Sequence, residues 1–284
     1  MTHPIPNSIA ILGFGLIGAS ISKAVKAAIP STRVVAIDVE EVTEDPEARA
    51  LVDAVVPALD TERVAQAIAA AELTVLCMPV GSICEALPFV LDHAQLVTDC
   101  GSTKRNVVYT ANHSEHGQRF VPGHPMAGGP AGGFRAARAN LFQDQTWILC
   151  TDFGVNESFR RVERFVQALG ARALRMDSDR HDDAVAITSH IPQLLTSALV
   201  TLAAEADADQ AAGPVFRNVT RSAGGNLEMW HDIFASNADY VARMSRELGE
   251  LLVCVAADLD RGEVDGALRV LDSARSLRAE LPKT

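Results

Sequence analysis

The chain has 284 residues, 48% of them hydrophobic and 21% charged, with a formal net charge of −11. That length suits two domains and a large core, the composition is that of a folded globular protein, and the acidity argues against nucleic acid or a membrane surface as a partner. A small anionic substrate stays open, since a few cations lining a cleft act at shorter range than a dispersed acidic surface. The five cysteines, none in a C-x-x-C pair, read as reduced core residues of a cytoplasmic protein, with neither a disulfide frame nor a metal site. MTHPIPN lacks a basic segment leading into an apolar core, and no run of eighteen apolar residues occurs, so neither secretion nor a membrane span is expected.

In chain order, Ile9 to Leu12 is a short apolar run followed at once by Gly13-Phe14-Gly15-Leu16-Ile17-Gly18. In such a strand–turn–helix the first glycine permits a tight turn, the second admits a pyrophosphate to backbone N–H groups, and the third lets the helix pack against the sheet. Val34 to Ile37 then forms a second strand ending in Asp38, a carboxylate placed to bind ribose hydroxyls and to repel a 2′-phosphate. The acidic EEVTEDPEAR reads as a surface loop with a short helical turn, and Thr61 to Ala71 as a helix. Leu73 to Cys77 and Leu96 to Asp99 are strands apolar enough for a parallel sheet covered on both faces, with a helix from about Ser82 to Leu91 between them. This alternation gives a doubly wound α/β domain of Rossmann type, whose ligands bind beyond the carboxyl ends of the strands. Met78-Pro79-Val80 and Cys100-Gly101-Ser102 therefore face the site opened by Gly13, together with Gly15, Leu16, Ile17 and Gly18.

Phe120-Val121 leads into the turn-rich VPGHPMAGGPAGGF, read as a functional loop at the carboxyl edge of the sheet. Thr146 to Cys150 and Ala171 to Met176 are further strands flanking an amphipathic helix. From Asp177 onward only helices are expected, which sets the domains at residues 1–176 (dinucleotide-binding) and 177–284 (all-α, substrate and dimerisation). Pro192 should kink or break the first long helix, Asn237 can cap a later one, and Val241, Met244, Leu248, Leu251, Val255 and Leu259 form a sustained apolar stripe. So apolar a helical half, joined to a nucleotide domain, is expected to bury surface in a homodimer.

Oxidising a carbinol with a nicotinamide cofactor requires a group that takes the hydroxyl proton, and histidine titrates near working pH. Among eight histidines, His124 is selected by its place just after a strand, between Gly123 and Pro125. Ser102 can share the hydroxyl or serve only as a helix cap. Arg221, in VTRSAGG, can clamp a carboxylate or pair on the surface, and His190 lies on an apolar helical face that suits a core histidine. Asp179-Arg180-His181-Asp182-Asp183 reads as a solvated, capped helix start, since adjacent helical residues point in different directions.

Taken together, ILGFGLIGASI at Ile11, CMPV at Cys77, TDCGSTK at Thr98, FVPGHPMAG at Phe120, ITSHIP at Ile187 and VTRSAGGNLEMWHDIF at Val219 resemble the prephenate and arogenate dehydrogenases of tyrosine biosynthesis, over nearly the whole chain. The resemblance implies NAD-dependent oxidative decarboxylation of a cyclohexadiene acid: hydride leaves the carbinol carbon for the nicotinamide, the ring carboxylate departs as carbon dioxide, and aromatisation drives the step. It makes His124 the acceptor at the ring hydroxyl, Ser102 its partner near the nicotinamide, Arg221 the clamp for a substrate carboxylate and His190 a residue close to the cleft with Trp230 packed nearby. The chain departs from the family at Gly129-Pro130, where Thr or Ser and then Glu often follow the HPMAG motif, and at Gln193, where many members carry a second histidine. Both positions bear on substrate contacts, Gln193 on the choice between prephenate and arogenate. Neither a fused chorismate mutase nor a regulatory domain is expected from the ends of the chain. A β-hydroxyacid dehydrogenase is disfavoured because no lysine occurs between Asp177 and Leu281, and a non-catalytic nucleotide-binding protein is the alternative outside enzymes.

Overall fold

The computed structural model describes residues 5–129 and 131–280, and its contacts divide the chain after Asn237 into a first unit and a second one that begins at Ala238. In the first unit, β1 (Ser8–Leu12), α1 (Leu16–Ala28) and β2 (Arg33–Asp38) realise the strand–turn–helix–strand read from the sequence. The acidic stretch after Asp38 forms α2 (Glu40–Thr43) and α3 (Pro46–Arg49, capped by Asp45), two helical turns where a loop and one turn were expected, and beyond it lies a strand, β3 (Ala54–Pro57), which the sequence reading did not contain. Then come α4 (Thr61–Ala70), β4 (Leu73–Leu76), α5 (Val80–His93), β5 (Val97–Asp99), α6 (Arg105–Asn112) and β6 (Phe120–Val121).

These six strands form one parallel sheet in the order β3-β2-β1-β4-β5-β6, the doubly wound arrangement whose crevice lies at the carboxyl ends near β1 and β4. Side chains alternate across a strand, so one strand feeds two cores. Ile9 and Ile11 pack on the α1 side with Val34, Ala36 and Val75, while Ala10 and Leu12 pack on the other with Val35, Ile37, Ile83 and Leu87. Burial on both faces accounts for strands that are apolar throughout.

A second, three-stranded sheet follows, ordered β7-β8-β9, from β7 (Gly123–Pro125), β8 (Thr146–Cys150) and β9 (Arg172–Met176), with α7 (Glu157–Ala168) connecting β8 to β9. His124 is therefore on a strand and not in a free loop: it is paired antiparallel with Ile148. The glycines and prolines around it hid the strand, since both residue types are depleted in sheets.

The remaining α-helices of the first unit are α8 (Ser178–Val185), α9 (Ile191–Glu205), α10 (Pro214–Val219) and α11 (Leu227–Ser236). Pro192 does not break the first long helix. Residues Ala186–His190 widen into a π-helical turn between α8 and α9, and the run Ser178–Glu205 is continuous. Proline lacks the N–H that an α-helix needs and its ring crowds the preceding turn, so a wider turn accommodates it. By length and composition alone this run would suit a membrane span, but His181, Asp182 and His190 lie buried along its first half. The second unit holds α12 (Ala238–Asp260) and α13 (Asp265–Glu280), separated by Gly262 at φ 76°. Of the cysteines, only Cys150 is buried, and Cys254 is exposed on α12, so the expectation of five core cysteines fails there.

Candidate active site

The glycine turn is built as its spacing requires. Gly13 has φ 88°, and a Cβ there would lie 2.5 Å from the Cys77 carbonyl oxygen. A Cβ at Gly18 would lie 2.2 Å from the Gly13 oxygen, so that helix and turn touch. At Gly15 a Cβ would meet nothing within 4 Å, which leaves the start of α1 open to a ligand. Leu16 and Ile17 form the first turn of that helix, whose N-cap Gly15 has no side chain to satisfy its N–H groups. Asp38 accepts the N–H of Phe14 through one carboxylate oxygen and that of Val39 through the other, so the acid ties β2 to the turn and keeps lone pairs for ribose hydroxyls. A cleft of about 440 Å³ at these strand ends is lined by Gly13, Asp38, Val39, Ala58, Met78 and Pro79. These features fit a dinucleotide: a close backbone approach, an open helix N-terminus, an acid at the second strand and an apolar slot. Val80 is buried at the start of α5, where the neighbouring Gly81 N–H donates to Asp232 of α11 at 3.1 Å.

Next to this cleft lies a buried polar network that positions His124. Asp99, at the end of β5, accepts the N–H of Gly101 and of Gly123, each at 2.9 Å. Lys104 forms an ion pair with Asp99 and also donates to the Gly123 carbonyl at 3.0 Å. Both side chains are fully buried. This clamp sews β7 to the carboxyl end of β5 and so sets His124 beside Cys100-Gly101-Ser102. Ser102 is partly exposed and makes no hydrogen bond among the described residues.

His124 Nδ1 lies 2.8 Å from His181 Nε2, and His181 Nδ1 lies 2.7 Å from Asp182 Oδ1. DRHDD does open a helix capped by Asp177, with Asp179 and Arg180 exposed, but His181 and Asp182 are fully buried, which corrects the reading of the whole run as solvated. Ser178, His181, Asp182, Val185 and Ala186 are the buried positions of this stretch, a single stripe at i, i+3, i+4, i+7 and i+8. Two adjacent residues can share a stripe that wide. The aspartates and arginine around them masked the pattern.

Burial holds the His124 imidazole well below the ordinary histidine range, reinforced by His181, Lys104 and His190. Burial also lowers His181, with the hydrogen bond to Asp182 opposing it. For Asp182 burial acts upward, but the His181 bond and the N–H groups of Arg105 and Lys104 outweigh it and hold the carboxyl below its usual range. His190 is pushed down to about 4, chiefly by burial. Each histidine is thus neutral at physiological pH, as a proton acceptor has to be.

His190 stands at the end of the π turn, edge-on to Trp230 at 6.0 Å between ring centres and to Phe234 at 6.5 Å. Asn237, read from the sequence as a cap, accepts from Arg105 at 3.2 Å and donates to the Asp182 carbonyl at 2.8 Å, and the same amide nitrogen lies 3.3 Å from His190 Nδ1. Gln193, one turn on, approaches Gly225 together with Trp230. The turn carrying Arg221 runs alongside α9, where Ser222 meets Thr196 at 3.4 Å. Arg221 itself is exposed and forms no ion pair or hydrogen bond among the described residues, unlike the surface pair that a lone arginine suggests. Gly129 is exposed with open space around it and makes no recorded contact with this cluster; Pro130 lies outside the described residues. Asp99, Lys104, His181 and Asp182 are the site residues that sequence reasoning missed.

Comparison with known proteins follows the same outline. A family model described as prephenate dehydrogenase, nucleotide-binding domain, matches residues 21–175, and one described as prephenate dehydrogenase, dimerization domain, matches residues 177–272. The chain is 31% identical over 245 residues to a prephenate dehydrogenase of Lactococcus lactis, covering 82% of this chain and 66% of that one. It is 32% identical over 243 residues to a cyclohexadienyl dehydrogenase of Zymomonas mobilis, covering 81% and 80%. In fold it is similar to a prephenate dehydrogenase from A. aeolicus crystallised with hydroxyphenyl propionate and NAD+, at a TM-score of 0.84 and 24% identity, over 97% of this chain and 98% of that one. The two family models together span residues 21–175 and 177–272, and the chain belongs to the prephenate dehydrogenase family.

Proposed function

We propose that the chain is an NAD-dependent prephenate dehydrogenase, with residues 1–176 holding the dinucleotide and residues 177–284 supplying substrate contacts and dimerisation. The observation that carries the reading is His124: a neutral, partly buried histidine that follows Gly123, the residue clamped to Asp99 at the carboxyl end of β5, with its Nε2 bonded to nothing among the described residues. When bound, NAD supplies the hydride acceptor. His124 would then take the proton of the ring hydroxyl as the carbinol carbon gives up hydride, and after the ring carboxylate leaves as carbon dioxide the same proton would return from His124 to the phenolate oxygen, giving a phenol. Ser102, with its hydroxyl uncommitted, holds the same oxygen near the nicotinamide. Arg221 binds a substrate carboxylate, for which an unpaired guanidinium offers two parallel donors. His190, Gln193 and Trp230 border the substrate, and Gly129 borders the entrance. The relatives include both a prephenate and a cyclohexadienyl dehydrogenase, so arogenate is the alternative substrate. Exposed apolar residues on α9 (Leu194, Leu195, Leu202) and on α12 (Leu251, Leu252) support assembly as a homodimer; a cytoplasmic location is proposed from the kind of biosynthetic enzyme the relatives are.

The testing experiment is a rate comparison of prephenate and arogenate, each with NAD and with NADP. The expected result is NADH and 4-hydroxyphenylpyruvate from prephenate. No turnover of either acid would sink the proposal, and preference for NADP would remove the role given to Asp38. Arg221→Ala is expected to raise KM about 10- to 100-fold, the loss of a charge-assisted hydrogen bond, with NAD affinity unchanged in a titration.

The two glycines separate binding from stability. Gly13→Ala is expected to lower the melting temperature as well as NAD affinity, because its Cβ meets Cys77 and the left-handed backbone costs about 1–2 kcal/mol. Gly15→Ala is expected to lower NAD affinity alone, since its Cβ meets no protein atom and projects where the pyrophosphate has to come. Equal melting temperatures for the two variants would contradict this division.

A further inference from the structure

The neutral state of His124 leaves open which ring nitrogen carries the hydrogen, and only one choice leaves a lone pair for the substrate. The chain of contacts behind the ring settles it. Asp182 Oδ1 accepts the N–H of Lys104 at 2.7 Å, and Oδ2 accepts the N–H of Arg105 at 2.9 Å and its Nε at 3.3 Å. A carboxylate facing three donors of that kind is ionised and acts only as an acceptor. His181 Nδ1, at 2.7 Å from Oδ1, must therefore carry a hydrogen and donate it. The other nitrogen of a neutral His181, Nε2, is then an acceptor, and His124 Nδ1 at 2.8 Å must donate to it. The hydrogen of His124 is thus on Nδ1, and Nε2 holds the lone pair.

We infer that Asp182 and His181 are positioning residues for the oxidation: they act through His124, fixing its tautomer so that Nε2 is the proton acceptor at the substrate hydroxyl. The inference rests on the dehydrogenase reading for its consequence, but not for its geometry. No other described group competes for the ring. Lys104 is occupied by Asp99 and Gly123, and His190 by Asn237. The packing of His124 against His181, with ring centres 5.0 Å apart, leaves the Nδ1 edge facing His181.

The two obvious substitutions act differently. In Asp182→Asn the amide oxygen is best placed toward Arg105, whose N–H and charged guanidinium both donate there, so the NH₂ turns toward His181 and the Lys104 N–H loses its acceptor. That reverses both tautomers and puts a hydrogen on His124 Nε2. In His181→Gln the side-chain oxygen takes the place of Nε2 and still accepts from His124, so the tautomer survives without a titrating group.

The test labels the histidine rings with ¹⁵N and reads long-range ¹H–¹⁵N couplings, with His124 assigned by its loss in His124→Asn. The wild type is expected to show His124 protonated on Nδ1 at neutral pH. Asp182→Asn is expected to move that proton to Nε2 and to lower kcat by about 10²- to 10⁴-fold, the scale of a tautomer fault behind a catalytic histidine, with KM little changed. His181→Gln is expected to keep the Nδ1 proton and turnover within about tenfold of wild type, one decade being the effect of roughly 1.4 kcal/mol. A wild-type His124 protonated on Nε2 would overturn the inference even if neither variant folds. So would an Asp182→Asn protein with unchanged tautomer and unchanged kcat. A protein with the Nδ1 tautomer that oxidises neither cyclohexadiene acid would sink the dehydrogenase reading and with it the catalytic consequence, leaving only the tautomer assignment.

Discussion

Replacing His124 with asparagine is expected to lower kcat by about 10²- to 10⁴-fold, the contribution typical of a positioned general base, while leaving NAD affinity unchanged. The reasoning is geometric. The shorter amide side chain can still donate toward His181 Nε2, so the buried network keeps its partner, but nothing remains where His124 Nε2 accepted. The residues assigned to the dinucleotide, Gly13 and Gly15 in the turn before α1 and Asp38 at the end of β2, lie on other elements and keep their bonds. The pH dependence separates this role from a structural one. A base works deprotonated, so kcat/KM of the wild type should fall as pH drops through the His124 pKa. Burial and the neighbours His181, Lys104 and His190 lower that pKa well below the ordinary value. Activity is therefore expected to be flat through neutral pH, with its acid limb displaced downward, and the residual activity of His124→Asn should lack that limb. A variant that retains both rate and limb would rule His124 out as the acceptor.

The largest expected effect on stability comes from Lys104. Lys104→Met leaves the Asp99 carboxylate buried without its cation, a change that costs about 3–5 kcal/mol in comparable buried pairs. Two backbone N–H groups, of Gly101 and Gly123, still reach Asp99, which places the expected cost toward the lower end. Denaturant unfolding would read it as a drop in midpoint. The double variant Asp99→Asn with Lys104→Met should recover part of the loss, because no charge is then buried. A single variant within about 1 kcal/mol of wild type, the scale of a surface ion pair, would show that the clamp is not structural. Both variants are expected to lose turnover more than fold stability suggests, since Gly123, held by Asp99 and Lys104, is the residue next to His124.

Much of the first unit could be read in advance because its signals are local. The glycine turn, the apolar strands and Asp38 each declare themselves within a few residues, and the doubly wound class followed from their alternation with helices. β3 escaped notice because it is four residues long and only half-buried, behind an acidic stretch. The strand of His124 escaped because its neighbours are turn formers. The reading of His181 and Asp182 failed for a different reason: their partners are 57 and 78 positions away, at His124 and Lys104. A charged run reads as solvated unless a distant donor set is known to receive it. The isolation of Arg221 was equally invisible, since a surface pair depends on what lies opposite and not on the arginine.

The hydrogen bond from Gly81 to Asp232 spans 151 positions, and those from Lys104 and Arg105 to Asp182 span 78 and 77. Contacts so remote along the chain form late, because the entropy of closing long loops comes before their reward. During synthesis, which proceeds from the N-terminus, the strands and glycine turn up to β6 emerge well before α8 and α11. The glycine turn and its strands are thus expected to assemble first, and His124 meets His181 only when α8 docks.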